Sequence, residues 1–233
     1  MLSAILPVYN EADKLGRNVL KLKEFLESLD KNYEIIIAED GSTDGSDKIA
    51  EILAKDKKIF HIHSDKKLGK GGSLKHASLY VRGDYVVYMD ADMATDLKSV
   101  KDVVRFLKEY DVVVGSRYLK GSKISRSLKR FLLSKIYHFF VKVFFPGLKL
   151  TDTECGFKGF KRDVFVNLNK GIRNNGWSWD LEFLVKAKKR GLTIKEIPIT
   201  WKEGENTKMN LFRDSISQFF GIIRIKLGVK IGR

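Results

Sequence analysis

The chain has 233 residues, 43% hydrophobic and 31% charged with only 3 prolines, which excludes a disordered chain, a collagen-like repeat and a polytopic membrane protein. Its length suits one good-sized domain with a substantial core. The balance of 44 Lys and Arg against 29 Asp and Glu gives +15, so some face attracts phosphate, anionic lipid or nucleic acid, while the single cysteine, Cys155, excludes an internal disulfide framework and an all-cysteine metal site.

Met1 leads straight into the apolar LSAILPV with no basic n-region and no small-residue cleavage site, so no signal peptide is expected. Strands are predicted at residues 2–8, 33–38, 59–63, 85–89 and 111–115. Between the first two, Leu15, Val19, Leu22, Leu26 and Leu29 recur at spacings of four, three, four and three, a helical stripe facing a sheet. Further helices are predicted over 46–54, 72–81 and 97–109. Strands alternating with helices in this order predict an α/β fold with a doubly wound, mainly parallel sheet that binds ligands at its strand carboxyl ends.

Polar residues gather at those ends: Pro7, Tyr9, Asn10 and Glu11 after the first strand, Glu39, Asp40, Gly41, Ser42 and Asp44 after the second, Asp90, Ala91 and Asp92 after the fourth. Singly, such residues read as turns and helix caps. Asp90 and Asp92 read differently, because carboxylates at i and i+2 of extended backbone project to one side, where they repel unless a cation joins them. Mg²⁺ or Mn²⁺ suits them, its remaining ligands being water and substrate phosphates, which points to a nucleotide diphosphate.

The segment GKGG at 69–72 lacks the spacing of a Walker A loop and reads as a turn capping the helix from Gly72. His61 and His63 alternate on a strand, and a pair without a third ligand reads as surface or packing. Cys155 reads as a small buried hydrophobe, and Trp177 and Trp179 as core or pocket wall.

From Arg117 to Lys149 there are nine basic residues and no acidic one, interleaved with Leu128, Phe131, Leu132, Leu133, Ile136, Phe139, Phe140, Val143, Phe144 and Phe145. Arg130, Ser134, His138 and Lys142 form a narrow polar stripe, so the helix there is apolar around most of its girth. A second such helix is predicted from Leu211 to Leu227, with Asp214, Ser217, Gly221 and Arg224 as its polar stripe and Phe212, Ile216, Phe219, Phe220 and Ile223 on its apolar side. Packing on the sheet and insertion into a membrane interface are both open for these helices; aromatic-rich apolar surface beside Lys and Arg favours an interface with anionic lipid. No run is long and charge-free enough to span. Nucleic acid is disfavoured as a partner, because no reading motif appears and the basic cluster is too apolar for a phosphate-tracking groove.

PVYNEA at 7–12, EDGSTDGS at 39–46 and DAD at 90–92 together resemble the motifs of the GT-A glycosyltransferases of family 2. LGKGGSLKHA at 68–77, TDTECGFKGF at 151–160 and WSWDLEFLVKAKKRG at 177–191 resemble the polyprenyl-phosphate hexosyltransferases within it, the glucosyl group first and the mannosyl group next. The resemblance implies a single GT-A catalytic domain over 1–233, a Rossmann-like sheet flanked by helices, with C-terminal amphipathic helices and membrane-interface helices at 125–145 and 210–227.

It also implies that Pro7, Tyr9, Glu11 and Asp40 contact the nucleotide, that Lys70, Asp90, Ala91 and Asp92 bind the nucleotide-sugar, and that Asp90 and Asp92 hold the metal. Asp92 and Arg117 are the implied catalytic residues. Arg117, whose guanidinium fork suits phosphate oxygens, is expected to grip the acceptor phosphate, with Lys123, Arg126, Lys129 and Arg130 toward phosphate and lipid. The expected reaction is inverting transfer of a hexose, first choice glucose from UDP-glucose, to dolichyl or polyprenyl phosphate. GDP-mannose as donor, or a glycan hydroxyl as acceptor, are the alternatives. Asp180 and Glu182 are open between acceptor contact, base and helix support. Added transmembrane helices found in many mannosyl relatives have no counterpart in the sequence, so attachment to the cytoplasmic face of a membrane is expected to be peripheral or supplied by a membrane-protein partner.

Overall fold

The computed structural model describes residues 1–30, 32–203 and 211–228, with the backbone alone for 211–215. The first half alternates β1 (Leu2–Val8), α1 (Leu15–Leu29), β2 (Tyr33–Glu39), α2 (Ser46–Leu53), β3 (Ile59–Ile62), α3 (Lys70–Ala77), β4 (Tyr85–Met89), α4 (Ser99–Phe106) and β5 (Val112–Ser116). There follow β6 (Lys123–Ser125), α5 (Leu128–Phe144), β7 (Phe157–Lys161), α6 (Arg162–Asn169), α7 (Trp179–Lys189), β8 (Ile194–Pro198), β9 (Thr200–Lys202) and α8 (Leu211–Leu227).

The seven-stranded sheet has the order β3-β2-β1-β4-β7-β5-β8. β7 runs antiparallel between β4 and β5, and the other pairings are parallel. The α/β class and mainly parallel sheet therefore stand as expected. Leu15, Val19, Leu22 and Leu26 of α1 are fully buried on one face of the sheet, each contributing about 2 kcal/mol. That face also packs Val100 and Val103 of α4. The opposite face buries Leu74 of α3, Phe165 of α6, Trp179 and Phe183 of α7, Tyr137 and Val141 of α5 and Ile222 of α8.

Several boundaries differ from expectation. β2 reaches Glu39, β5 is shifted by one residue, and α3 begins at Lys70 rather than Gly72 and ends at Ala77. Gly69 makes the early start possible: its φ is +87°, and a Cβ there would lie 2.6 Å from the Asn175 carbonyl oxygen. β7, β8 and the short β6–β9 pair were not among the predicted strands. The interface helices predicted at 125–145 and 210–227 correspond to α5 and α8; residue 210, and side chains at Phe212 and Asp214 named in the expected stripes, lie outside what is described.

Candidate active site

The turn after β1 and the turn after β2 are tied into one wall. Asn10, at φ 57°, donates its N–H to Ser42 Oγ (2.9 Å) and accepts the Thr43 N–H at Oδ1 (2.7 Å). Glu11 N–H reaches Ser46 Oγ at 2.8 Å, and Glu11 Oε2 pairs with Lys14 Nζ at 2.9 Å. Pro7 lies opposite Ala38 in the β1–β2 ladder. Lys67 places its ammonium 3.4 Å from the centre of the Tyr9 ring. Asp40 is buried, and its carboxylate accepts the N–H groups of Leu68 (2.6 Å) and Gly69 (2.9 Å). It thus holds the loop that delivers Lys70. Burial pushes the Asp40 carboxyl above the ordinary range, and those two hydrogen bonds only partly offset this.

Asp90 and Asp92 follow β4 as the sequence predicts. Asp90 packs against Gly156, where a Cβ would lie 1.8 Å from Asp90 Oδ2, so only glycine fits. The Ala91 carbonyl is fixed by Asn18 Nδ2 of α1 at 2.8 Å, and Asp92 Oδ1 accepts the Ala94 N–H at 3.1 Å. Burial and then the charge of Asp90 push the Asp92 carboxyl up. Two crowded oxygen donors, with Asp90 still 40% exposed, are what a hard divalent cation needs, so the residues fit such an ion.

Lys70 Nζ stands 3.0 Å from Asp90 Oδ1 and 3.6 Å from Asp180 Oδ2. Burial opposes its ammonium, but the charges of Asp90 and Asp180 outweigh that and keep it protonated. Asp180 is buried, bonded to the Tyr88 hydroxyl and, at 2.6 Å, to the fully buried Lys158 Nζ. Burial alone would raise the Asp180 carboxyl, yet Lys158 and Lys70 hold it below the ordinary range. Asp180 is therefore an anionic anchor for two lysines. Glu182 accepts the backbone N–H groups of Arg173 (3.0 Å) and Asn174 (2.8 Å) and pairs with Lys186, which makes it a support of the 171–176 loop.

Four residues before Gly156, Asp152 forms a bidentate pair with Arg117, Nε to Oδ2 at 2.7 Å and Nη2 to Oδ1 at 2.9 Å. Arg117 also lines a pocket of about 290 Å³ with Tyr118, Ile124, Arg126, Leu128 and Phe131. Arg126 reaches into this pocket, its Nη1 donating to the Tyr118 hydroxyl at 3.3 Å while its buried Nε has no partner. Lys123 and Lys129 are exposed, whereas Arg130 pairs with Glu203 at 2.8 Å. The segment Asp152–Gly156 joins the two halves of the site: Asp152 grips Arg117 and Gly156 backs Asp90, at most about 14 Å apart along the chain.

Sequence reasoning missed Asn18, Lys158, Asp152 and Gly156. Lys158 alternates with Phe157 and Gly159 in FKGFK and carried no sign of burial. Asp152 and Gly156 sit in the TDTECG segment already singled out, but their partners Arg117 and Asp90 are 35 and 66 residues away in sequence. Cys155 is buried as expected, its thiol pushed up to about 12 by burial and then by the charge of Asp152. Trp179 lies in the core, as one of its two readings had it, and Trp177 is partly exposed beside Lys70.

Known proteins resemble this chain over nearly its whole length. It is 39% identical over 227 residues to the glycosyltransferase AglD of Haloferax volcanii, covering 95% of this chain and 36% of AglD. It thus spans about a third of that relative. Dolichyl-phosphate beta-glucosyltransferases of Saccharomyces cerevisiae and Dictyostelium discoideum are 31% and 33% identical, each covering 99% of this chain and 75% of the relative. Among solved structures, glucosyl-3-phosphoglycerate synthase of Mycobacterium tuberculosis, in complex with Mn²⁺, UDP-glucose and phosphoglyceric acid, superposes with a TM-score of 0.74 at 16% identity, covering 100% of this chain and 81% of that one. The fold is GT-A, as expected from the sequence. The family model for glycosyl transferase family 2 matches residues 3–168, and with these relatives it places the chain in glycosyltransferase family 2.

Proposed function

We propose that this chain is a single catalytic domain that moves a hexose, glucose from UDP-glucose, onto dolichyl or polyprenyl phosphate at a membrane surface, inverting the anomeric carbon. The observation that carries this reading is the pocket of Arg117, Arg126, Tyr118, Ile124, Leu128 and Phe131, which combines basic and apolar side chains and is tied by Asp152–Gly156 to the aspartate pair. Curated relatives named dolichyl-phosphate beta-glucosyltransferases, and a structural neighbour solved with Mn²⁺ and UDP-glucose, support it.

In this reading Pro7, Tyr9, Glu11 and the loop held by Asp40 bind the nucleotide. Asp90 and Asp92 hold Mg²⁺ or Mn²⁺, which when bound supplies electrostatic stabilisation of the departing diphosphate. Lys70, kept charged by Asp90 and Asp180, faces the same anion. Arg117 and Arg126 orient the acceptor phosphate, and the prenyl chain leaves along Ile124, Leu128 and Phe131. A phosphate monoester with a second pKa of roughly 6 is largely dianionic at neutral pH, so it attacks without a general base. This fits a site in which Asp180 and Glu182 are committed to lysines and backbone.

The membrane reading rests on how α5 is turned. The middle of its polar stripe faces the protein: Ser134 Oγ accepts from the Tyr118 hydroxyl at 2.6 Å, and buried His138 accepts the Thr153 N–H at 3.1 Å, while Lys142 at the stripe's end is exposed. The exposed face is instead Leu128, Leu132, Ile136, Phe139 and Val143, spaced four, four, three and four apart. α8 packs beside it through Phe140 and Phe219 and adds exposed Ile216, Phe220 and Leu227. Among the described residues no helix is long and apolar enough to cross a membrane. Such a face, flanked by exposed Lys123, Lys129 and Lys142, supports peripheral binding to an anionic leaflet on the cytoplasmic side.

The test is transfer of label from UDP-glucose, with GDP-mannose in parallel, to polyprenyl phosphate in vesicles. Transfer from UDP-glucose is expected, and Asp92→Asn or excess EDTA should lower it at least about 100-fold. Transfer unaffected by either would reject the metal assignment, and label from GDP-mannose alone would move the donor to the mannosyl alternative.

A further inference from the structure

His61 of β3 and His63 just past its end acquire a third ligand that the sequence does not bring near them. Ile37 of β2 lies opposite His61 in the parallel register, which sets Glu39 beside His63 on the same face. The Glu39 side chain is wholly buried, and its Oε2 is 2.6 Å from His63 Nδ1. Its other oxygen accepts the Ser42 N–H. His61 Nε2 is buried and has no hydrogen-bond partner, a condition folded proteins rarely leave uncompensated. One ligand atom from each of Glu39, His61 and His63 lies within 4.8 Å of the other two. On the outer side, His63 Nε2 faces Asp65 Oδ1 at 3.4 Å, the arrangement in which a carboxylate orients a metal-bound imidazole through its second nitrogen. Asp47 and Glu51 add negative field around His61.

We propose that Glu39, His61 and His63 form a binding site for a divalent transition-metal ion of the zinc class, separate from the aspartate pair. Two imidazoles and a carboxylate select such an ion over Mg²⁺, which prefers oxygen alone. On binding, the proton shared between His63 Nδ1 and Glu39 leaves to solvent and the ion takes its place, with remaining positions open to water. The site lies one residue from Asp40, so an ion there pins the end of β3 to the EDGSTDGS turn and stiffens the nucleotide wall without joining the chemistry.

The full chain carrying Asp90→Asn and Asp92→Asn, which removes the oxygen pair, is dialysed against micromolar free Zn²⁺ in millimolar Mg²⁺, and bound zinc is measured. About one zinc per chain is expected, with a rise in the thermal midpoint, and both are lost when His61→Ala is added. Zinc uptake unchanged by His61→Ala and by His63→Ala, or no uptake at all, overturns the proposal. X-ray absorption of the zinc-loaded native chain gives a second measurement that needs no variant. Two imidazole nitrogens in the zinc shell support the site, and an all-oxygen shell rejects it. Neither readout depends on turnover, so failure here leaves the transferase reading intact.

Discussion

Gly156 and Asp152 are the residues on which the site's geometry turns. Replacing Gly156 by Ala puts a methyl where Asp90 Oδ2 sits, 1.8 Å away, so the carboxylate must rotate out of its pairing with Asp92. Gly156→Ala is expected to cost at least about tenfold in kcat/KM, with less loss in thermal midpoint than a core deletion; full activity would contradict the contact. Asp152→Asn leaves the Arg117 fork half-satisfied inside the protein and is expected to destabilise the fold by about 3–5 kcal/mol in chemical denaturation. Its titration is distinctive too. Burial would raise the Asp152 carboxyl, but Arg117 holds it well below the ordinary range. The stabilisation is thus present above the carboxyl's unfolded value and lost only as pH falls through the lower folded one. Carbon-13 NMR of the carboxyl should show it still ionised where exposed aspartates have protonated. Cys155, fully buried with its thiol pushed up to about 12, should not react with a disulfide reagent at pH 8 until the chain is unfolded.

At the scale of elements, α5 and β7 show what a sequence discloses and what it withholds. The periodicity of α1 was legible because one stripe of leucines meets one sheet face. The amphipathic pattern of α5 was equally plain, but which side faces outward was not: the stripe of Arg130, Ser134, His138 and Lys142 leaves this open until Tyr118 and Thr153 are seen to donate to Ser134 and His138. β7 was illegible because its alternation places Lys158 inside, where Asp180 compensates the charge from 22 residues away. A lysine at that position argues against a buried strand unless its partner is known. β8, IKEIP, hides for the same reason, since Glu196 is spent on the Thr151 and Asp152 backbone. For α5 the expected outcome is specific. Leu132→Glu with Ile136→Glu should cut sedimentation with anionic vesicles by at least about tenfold while UDP binding is retained. Lys123→Glu with Lys129→Glu should weaken sedimentation in a salt-dependent way, because both lysines are exposed, whereas Arg130 is engaged with Glu203.

For the whole molecule, the half proposed to bind the nucleotide was the more readable, because its motifs sit at strand ends of a regular βα alternation. The half proposed to take the acceptor is assembled from β5, β6, α5 and the 151–156 segment, and its Arg117–Asp152 and Asp90–Gly156 contacts bridge sequence separations that no local pattern encodes. The net charge of +15 acquires a location in this arrangement, since the acid-free stretch from Arg117 to Lys149 contains both the pocket arginines and the apolar face of α5. The most direct measurement supplies labelled UDP-glucose together with polyprenyl phosphate, the matching unphosphorylated polyprenol and a free glycan in one vesicle assay. Label should enter only the phosphorylated lipid, at a rate that rises through about pH 6 as the acceptor loses its second proton and then levels. Label in the glycan or the free alcohol, with the phosphate ignored, would contradict a site built around Arg117 and a pre-ionised nucleophile.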